Sequence, residues 1–173
     1  RSSVTPNVIV APDGTSTADK LVEDTSISNS HYLYCRGNVT AGTAYTLSFY
    51  VKAAERTNLA LQFYSNNAAF ASSGAFFNIG TGVITNSAQV DSATITPIGN
   101  GWHRISATKT ATSTALATVS VTLVSTGTTI DYTGDGTSGV YVWGAQLDAG
   151  TFPTSYIPTT TAQVTRAADI APM

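Results

Sequence analysis

The side chains with which this chain could do acid–base or covalent chemistry are few: His31, His103, Glu23, Glu55 and Cys35. The sequence holds neither a Gly-x-Ser-x-Gly nucleophile elbow nor a His-Glu-x-x-His zinc helix. Glycoside hydrolysis needs two carboxylates facing each other across a sugar. Both glutamates read as loop or edge residues, His31 as a loop residue at a strand start, and His103 as a partly buried packing residue. Cys35, in the apolar-rich run Tyr32-Leu33-Tyr34-Cys35, reads as a small buried hydrophobe. It lacks the neighbouring base or helix N-terminus that activates a thiol. No enzyme is expected.

A second kind of chemistry needs only a suitable surface. A sugar ring has apolar C–H faces and a rim of hydroxyls. Proteins grip it by stacking aromatic rings on the faces and aiming amides, Arg or Asp at the rim. Alternation puts Tyr50, Gln62 with Tyr64, Trp102 with Arg104, and Tyr34 with Arg36 (beside Tyr32) on the polar sides of their strands. These are the candidate carbohydrate-binding residues, with Gln62 expected between Tyr50 and Tyr64. The alternative for each is packing in a second layer or under a loop. Trp143 is expected in the core.

Short strands must carry these side chains. Tyr45 to Ala53 puts Tyr45, Leu47, Phe49 and Val51 on one face and Thr46, Ser48, Tyr50 and Lys52 on the other. Leu59 to Tyr64 repeats the pattern, and the five residues Ala54–Asn58 between them have hairpin length. Tyr32–Val39, Trp102–Thr108, Ala117–Leu123 and Val140–Leu147 also alternate. The last is read with Tyr141, Trp143, Ala145 and Leu147 on one face. Val8–Val10, Ala18–Val22, Ala75–Ile79, Val83–Ile84 and Ala88–Ile95 are weaker strands. Pro12-Asp13-Gly14, Ala41-Gly42-Thr43 and Gly80-Thr81-Gly82 mark turns. Gly134, Gly136 and Gly139 read as turn positions, not a phosphate loop, since no Lys and no helix follow. Strands with one apolar face must bury those faces against each other, so the expectation is all-β: a two-sheet antiparallel β-sandwich.

Composition agrees. The 173 residues suit one domain, and 42% hydrophobic residues can build a core. Charged residues make up only 10%, while 29 Thr and 18 Ser supply the polar surface. Eight Lys and Arg spread along the chain make no basic patch, so nucleic acid is not an expected partner. No apolar run approaches the ~20 residues of a membrane helix, and no membrane partner is expected. A single cysteine forms no internal disulfide, so folding does not depend on oxidation. The start at Arg1, without an apolar leader, reads as a piece of a longer protein.

Several stretches resemble one family. They are Ala11-Pro12-Asp13-Gly14-Thr15-Ser16-Thr17-Ala18-Asp19-Lys20-Leu21, Gly42 to Ala53, Gly134 to Gly150, Phe152-Pro153-Thr154-Ser155-Tyr156-Ile157-Pro158-Thr159, and Thr165-Arg166-Ala167-Ala168-Asp169. Together they are similar to the carbohydrate-binding-module-like jelly-roll domain of phage tail and virion proteins and of some bacterial polysaccharide-degrading enzymes. The likeness runs from about Val10 to Asp169. It lacks the family's upstream strand with an Asn-Leu-Leu start and a Trp. The resemblance implies a jelly roll over 1–158 with a C-terminal extension or linker over 159–173. It implies a location on a virion or outside the cell, and a bacterial surface glycan or polysaccharide as partner. The alternative is a structural or assembly domain without a glycan, a homo-oligomer such as a trimer formed through the parent protein. It also implies a structural calcium near the chain ends, held by Asp13, Asp19 and Asp148, with Asp131 and Asp135 as a second set.

Overall fold

The computed structural model describes residues 1–159; the extension expected over 159–173 lies, Thr159 apart, outside the described residues. The strands are β1 (Ser2–Ile9), β2 (Ala18–Glu23), β3 (Asn29–Ser30), β4 (Tyr32–Val39), β5 (Ala44–Ala53), β6 (Asn58–Phe63), β7 (Ser73–Asn78), β8 (Val83–Asn86), β9 (Ser92–Gly99), β10 (Trp102–Thr110), β11 (Ala115–Val124), β12 (Asp131–Tyr132) and β13 (Gly139–Ala149). A six-stranded sheet runs β1-β2-β13-β5-β10-β9, a five-stranded sheet runs β4-β11-β6-β7-β8, and β3 pairs with β12. All pairings are antiparallel. The chain is all-β, and its two large sheets pack in a sandwich-like arrangement. The strand expected at Val8–Val10 starts earlier, at Ser2, and β1 forms one edge of the larger sheet.

Alternation explains the packing. Leu47, Phe49 and Val51 of β5 and Ile105 and Ala107 of β10 face Leu59, Leu61 and Phe63 of β6 and Val119, Val121 and Leu123 of β11 in one buried cluster. Each fully buried Leu or Phe contributes about 1.5–3 kcal/mol of transfer free energy. Phe70, from the loop after β6, closes one end of this core, edge-on to Phe63 at 5.0 Å.

Several expectations are corrected. First, β5 and β6 are not a hairpin: they belong to opposite sheets. Each has a bulky apolar face, and the two faces bury more by meeting across the core than by lying side by side. The connection crosses the end of the sandwich, pinned by Arg56 N–H donating to the Gly139 carbonyl at 3.0 Å.

Second, Trp143 is not in the core between the sheets. Along β13 the register with β5 runs Val142↔Val51 and Trp143↔Tyr50, then resumes at Gln146↔Ser48. Gly144 and Ala145 together oppose Phe49 alone, which is a bulge with Gly144 at φ +60°. The extra residue reverses the parity. Val140 and Val142 face the core before it and Leu147 after it, while Trp143 lies on the outer face. A Cβ on Gly144 would sit 2.9 Å from the Tyr50 ring and require left-handed backbone. Gly144→Ala is therefore expected to lower stability by roughly 1–3 kcal/mol in denaturant titration.

Third, Cys35 is exposed. It lies on β4, which has a neighbour on one side only, at the open margin of the sandwich.

His31 lies between β3 and β4, at a strand start as expected, but it is fully buried, as is Glu23 at the end of β2. Glu23 accepts from Arg56 Nε at 2.9 Å and Arg56 Nη2 at 2.5 Å, from the Tyr132 hydroxyl at 2.6 Å, and from the Asp135 N–H at 2.9 Å. Burial pushes its carboxyl up, but these donors outweigh burial and hold it below its ordinary value. Burial, together with the bond to Glu23, pushes the Tyr132 phenol far up. His31 packs 4.8 Å from Tyr132, with Nδ1 2.6 Å from the Arg1 carbonyl. Gly134 and Gly139 are close-approach positions rather than turns. A Cβ on either would lie 2.0 Å from a backbone oxygen, of Asp24 and of Leu21 respectively. Of the three, Gly136 is the one at positive φ, +80°.

Candidate functional site

The seven candidate sugar-binding residues separate onto opposite outer faces. Tyr50, Trp102 and Arg104 lie on the six-stranded sheet, and Tyr34, Arg36, Gln62 and Tyr64 on or beside the five-stranded one. Tyr50 and Tyr64 are not neighbours, because β5 and β6 are in different sheets.

The outer face of the six-stranded sheet is covered. The chain between β1 and β2 folds over it, and Ala11 and Ala18 bury Trp102 against Ile9, Tyr50, Tyr141 and Trp143. Trp143 Nε1 donates to Thr17 Oγ1 at 3.1 Å. The segment after β13 covers the rest. Arg104 donates to the Thr154 carbonyl, Thr46 Oγ1 donates to the Gly150 carbonyl at 2.9 Å, and Tyr156 packs 4.5 Å from Trp143. Arg104 also stands 5.2 Å over the Tyr50 ring. For Tyr50, Trp102 and Arg104 the loop-covered alternative holds.

The outer face of the five-stranded sheet is different. Its β11 lies between β4 and β6, with Tyr34↔Ser120↔Gln62 and Tyr32↔Thr122↔Ala60 in register and Arg36 opposite Thr118. The outward side chains of β11 are short hydroxyls, because Ala117, Val119, Val121 and Leu123 take the inner positions. Long side chains on β4 and at the end of β6 therefore stand above a low floor. The result is an open trough of about 220 Å³ lined by Tyr32, Tyr34, Arg36, Tyr64, Asn66 and Thr118.

Tyr32 lies 6.1 Å from Tyr34 and 6.3 Å from Tyr64, ring centre to ring centre. Beside and beneath the trough runs a hydrogen-bonded chain whose Ser120 and Thr122 are buried. The Tyr64 hydroxyl donates to Gln62 Oε1 at 2.9 Å and lies 3.1 Å from Ser120 Oγ, which is 2.9 Å from Thr122 Oγ1. Asn66 Nδ2 donates to Thr118 Oγ1 at 2.7 Å. Tyr34 is 51% exposed, so its ring is free to stack. Chemically, this is a platform of aromatic rings and fixed polar atoms with no acid–base pair on it.

A larger cleft, about 540 Å³, opens between the sheets beside the β13 bulge, where β2 has stopped pairing with β13. Leu33, Phe49 and Val142 line it inside, Asp13 and Asp19 at its rim. Its aromatic rings pack on one another, Trp143 lying 5.3 Å from Tyr50 as well as against Tyr156.

Of the expected calcium ligands, Asp13 and Asp19 line the same cleft, and Asp148 is not among the residues lining it. The Asp13 carboxylate accepts from the Thr15 hydroxyl and N–H, which hold it below its ordinary value. Asp19, opposite Val142, accepts from the Asn7 N–H. Asp148 lies six residues farther along β13, opposite Thr46, and is bonded to Gln146 and Thr154. Of the second set, Asp131 bonds Ser30, while Asp135 bonds Thr137 and Ser138. Among the described residues no three His, Cys, Asp or Glu side chains converge on a cation.

The histidines are also placed away from the trough. His31 is in the buried end cluster, and His103 is half-buried on the inner face of β10, near Gly82. Alternation assigned Thr118, Ser120 and Thr122 to a polar face, but not the strands beside them, so the floor was missed. Asn66 comes from a loop and left no signal. No protein-family model matches this chain, and no curated protein matches it in sequence.

Proposed function

We propose that this chain is a non-catalytic carbohydrate-binding domain of the jelly-roll type. In this reading it attaches a phage tail or other surface protein, on a virion or outside the cell, to a bacterial glycan or polysaccharide. The observation that carries the reading is the trough on the five-stranded sheet. Three tyrosines line it together with Thr118, and Arg36 and Asn66 supply polar groups at its edge. Aromatic faces suit the C–H faces of a sugar, and polar atoms already held in place lose little entropy on binding. Among the described residues Tyr34 and Arg36 stand exposed on this face.

Glycan-array binding followed by titration calorimetry tests the reading. Tyr34→Ala and Tyr64→Ala are each expected to weaken binding by up to about tenfold, given that one aromatic contact is worth roughly 0.5–1.5 kcal/mol. Tyr34 is the cleaner test, because it takes no part in the floor network. Binding that is unchanged in both variants would overturn the site.

A second reading, an assembly domain of a virion or fibre, is favoured by edge strand β1, whose Val4 and Val8 are exposed. A trimer in solution with Tyr34 and Tyr64 buried between copies would replace the first reading with this one.

A further inference from the structure

The charge in the trough specifies a class of ligand. Its lining includes one cation, Arg36, and no carboxylate. Most of the other basic groups are engaged. Lys20 pairs with Glu55, Arg56 with Glu23 and Lys109 with Asp91, while Arg104 donates to Ser48 and Thr154. Among the described residues Arg36 makes neither an ion pair nor a hydrogen bond; its guanidinium stands 5.4 Å over the Tyr34 ring. A guanidinium held against an aromatic face keeps its N–H donors, which lie in its own plane, free to bond. An acid is what such a fork accepts best, through two parallel charge-assisted bonds. The position on an edge strand leaves Arg36 accessible, since nothing pairs with the far side of β4.

We infer that the trough binds acidic sugars, with the carboxylate of a uronic-acid-type residue on Arg36 and the sugar ring on Tyr34. This rests on the carbohydrate-binding reading and narrows it to a chemical class. A neutral glycan would leave the guanidinium without an anionic partner, and a cationic one would be repelled by it. A sulfate or phosphate ester on a sugar offers a similar anion but a tetrahedral one, so the test includes both.

The experiment is calorimetric titration of the whole chain with matched oligosaccharides. The panel holds polyuronate oligomers built from galacturonate, mannuronate and glucuronate, the same oligomers after carboxyl reduction to neutral sugars, and sulfated counterparts. The uronates are expected to bind roughly tenfold tighter than their reduced partners, as fits a hydrogen bond to a charged group. Arg36→Gln should abolish that difference and Arg36→Lys retain part of it, with the thermal midpoint unchanged in both. Added salt should shrink the preference.

Equal binding of acidic and reduced oligomers would overturn the acidic class while leaving carbohydrate binding intact. A preference that survives in Arg36→Gln would overturn the assignment to Arg36. Tighter binding of the sulfated set than of the uronates would overturn the carboxylate in favour of an ester anion. Failure of every member to bind the folded chain would overturn the carbohydrate reading as well.

Discussion

Glu23→Gln is expected to destabilise the fold by about 3–5 kcal/mol, the usual cost of breaking a buried ion pair and leaving one partner without its counter-charge. The substitution keeps the shape of the side chain but removes the charge that two Arg56 nitrogens, the Tyr132 hydroxyl and the Asp135 N–H all point at. Arg56 also carries the connection between the two sheets, so loosening it frees the end of the sandwich. Denaturant titration of Glu23→Gln, Arg56→Met and the double variant measures the effect. The double variant should cost clearly less than the sum of the singles.

The pH dependence has a definite sign. The Glu23 carboxyl is held below its ordinary value in the fold, so its contribution is complete above the unfolded pKa of ~4.3 and fades as the pH falls through the lower, folded one. The stability gap between the native chain and Glu23→Gln should therefore narrow in acid. A gap that stays constant down to full acid unfolding would show that the pair contributes nothing as a charge.

Gly139→Ala should be at least as damaging, with a loss on the order of 4–5 kcal/mol or more. Gly139 starts β13 opposite Val22, and an added Cβ would lie 2.0 Å from the Leu21 carbonyl oxygen and 2.9 Å from its carbon. Those atoms are backbone in a central part of the sheet, so no side chain can swing aside. Relief requires β13 to part from β2, which would also break the bond from the Glu23 N–H to the Ser138 carbonyl at 3.0 Å. Amide hydrogen exchange at Leu21–Glu23 should accelerate along with the fall in unfolding midpoint. Gly37→Ala is the control: the new methyl would meet only Leu147 at 3.6 Å, an ordinary contact, and should change stability by less than about 1 kcal/mol.

The two effects arise at the same end of the molecule, and neither was legible in the sequence. Glu23 follows the strand expected over Ala18–Val22 and read as a loop or edge residue; its partners stand 33, 109 and 112 residues away. Gly139 sat among turn-like glycines, and only the approach of Leu21 gives it a different role. By contrast, the inner faces of β5, β6, β10 and β11 could be read residue by residue, because a strand's side chains alternate whatever strand lies beside it. The alternation itself broke at Gly144, where an inserted residue reversed it and left Trp143 on the outer face.

The candidate site shows the same division. Tyr34, Arg36, Gln62 and Tyr64 read as outward-facing polar and aromatic residues; Tyr34, Arg36 and Tyr64 meet in one trough, with Gln62 bonded to Tyr64 beside it. Tyr50, Trp102 and Arg104 had the same local signature, yet chain segments before β2 and after β13 cover them. The sequence by itself determined that this protein is built of strands with one dry face, and which side chains occupy that face, since both follow from local period-two patterning. Which strands became neighbours, which outward side chains stayed exposed and where the charges were buried was decided by tertiary structure alone. Those outcomes depend on contacts between residues far apart in the chain, and no local pattern encodes them.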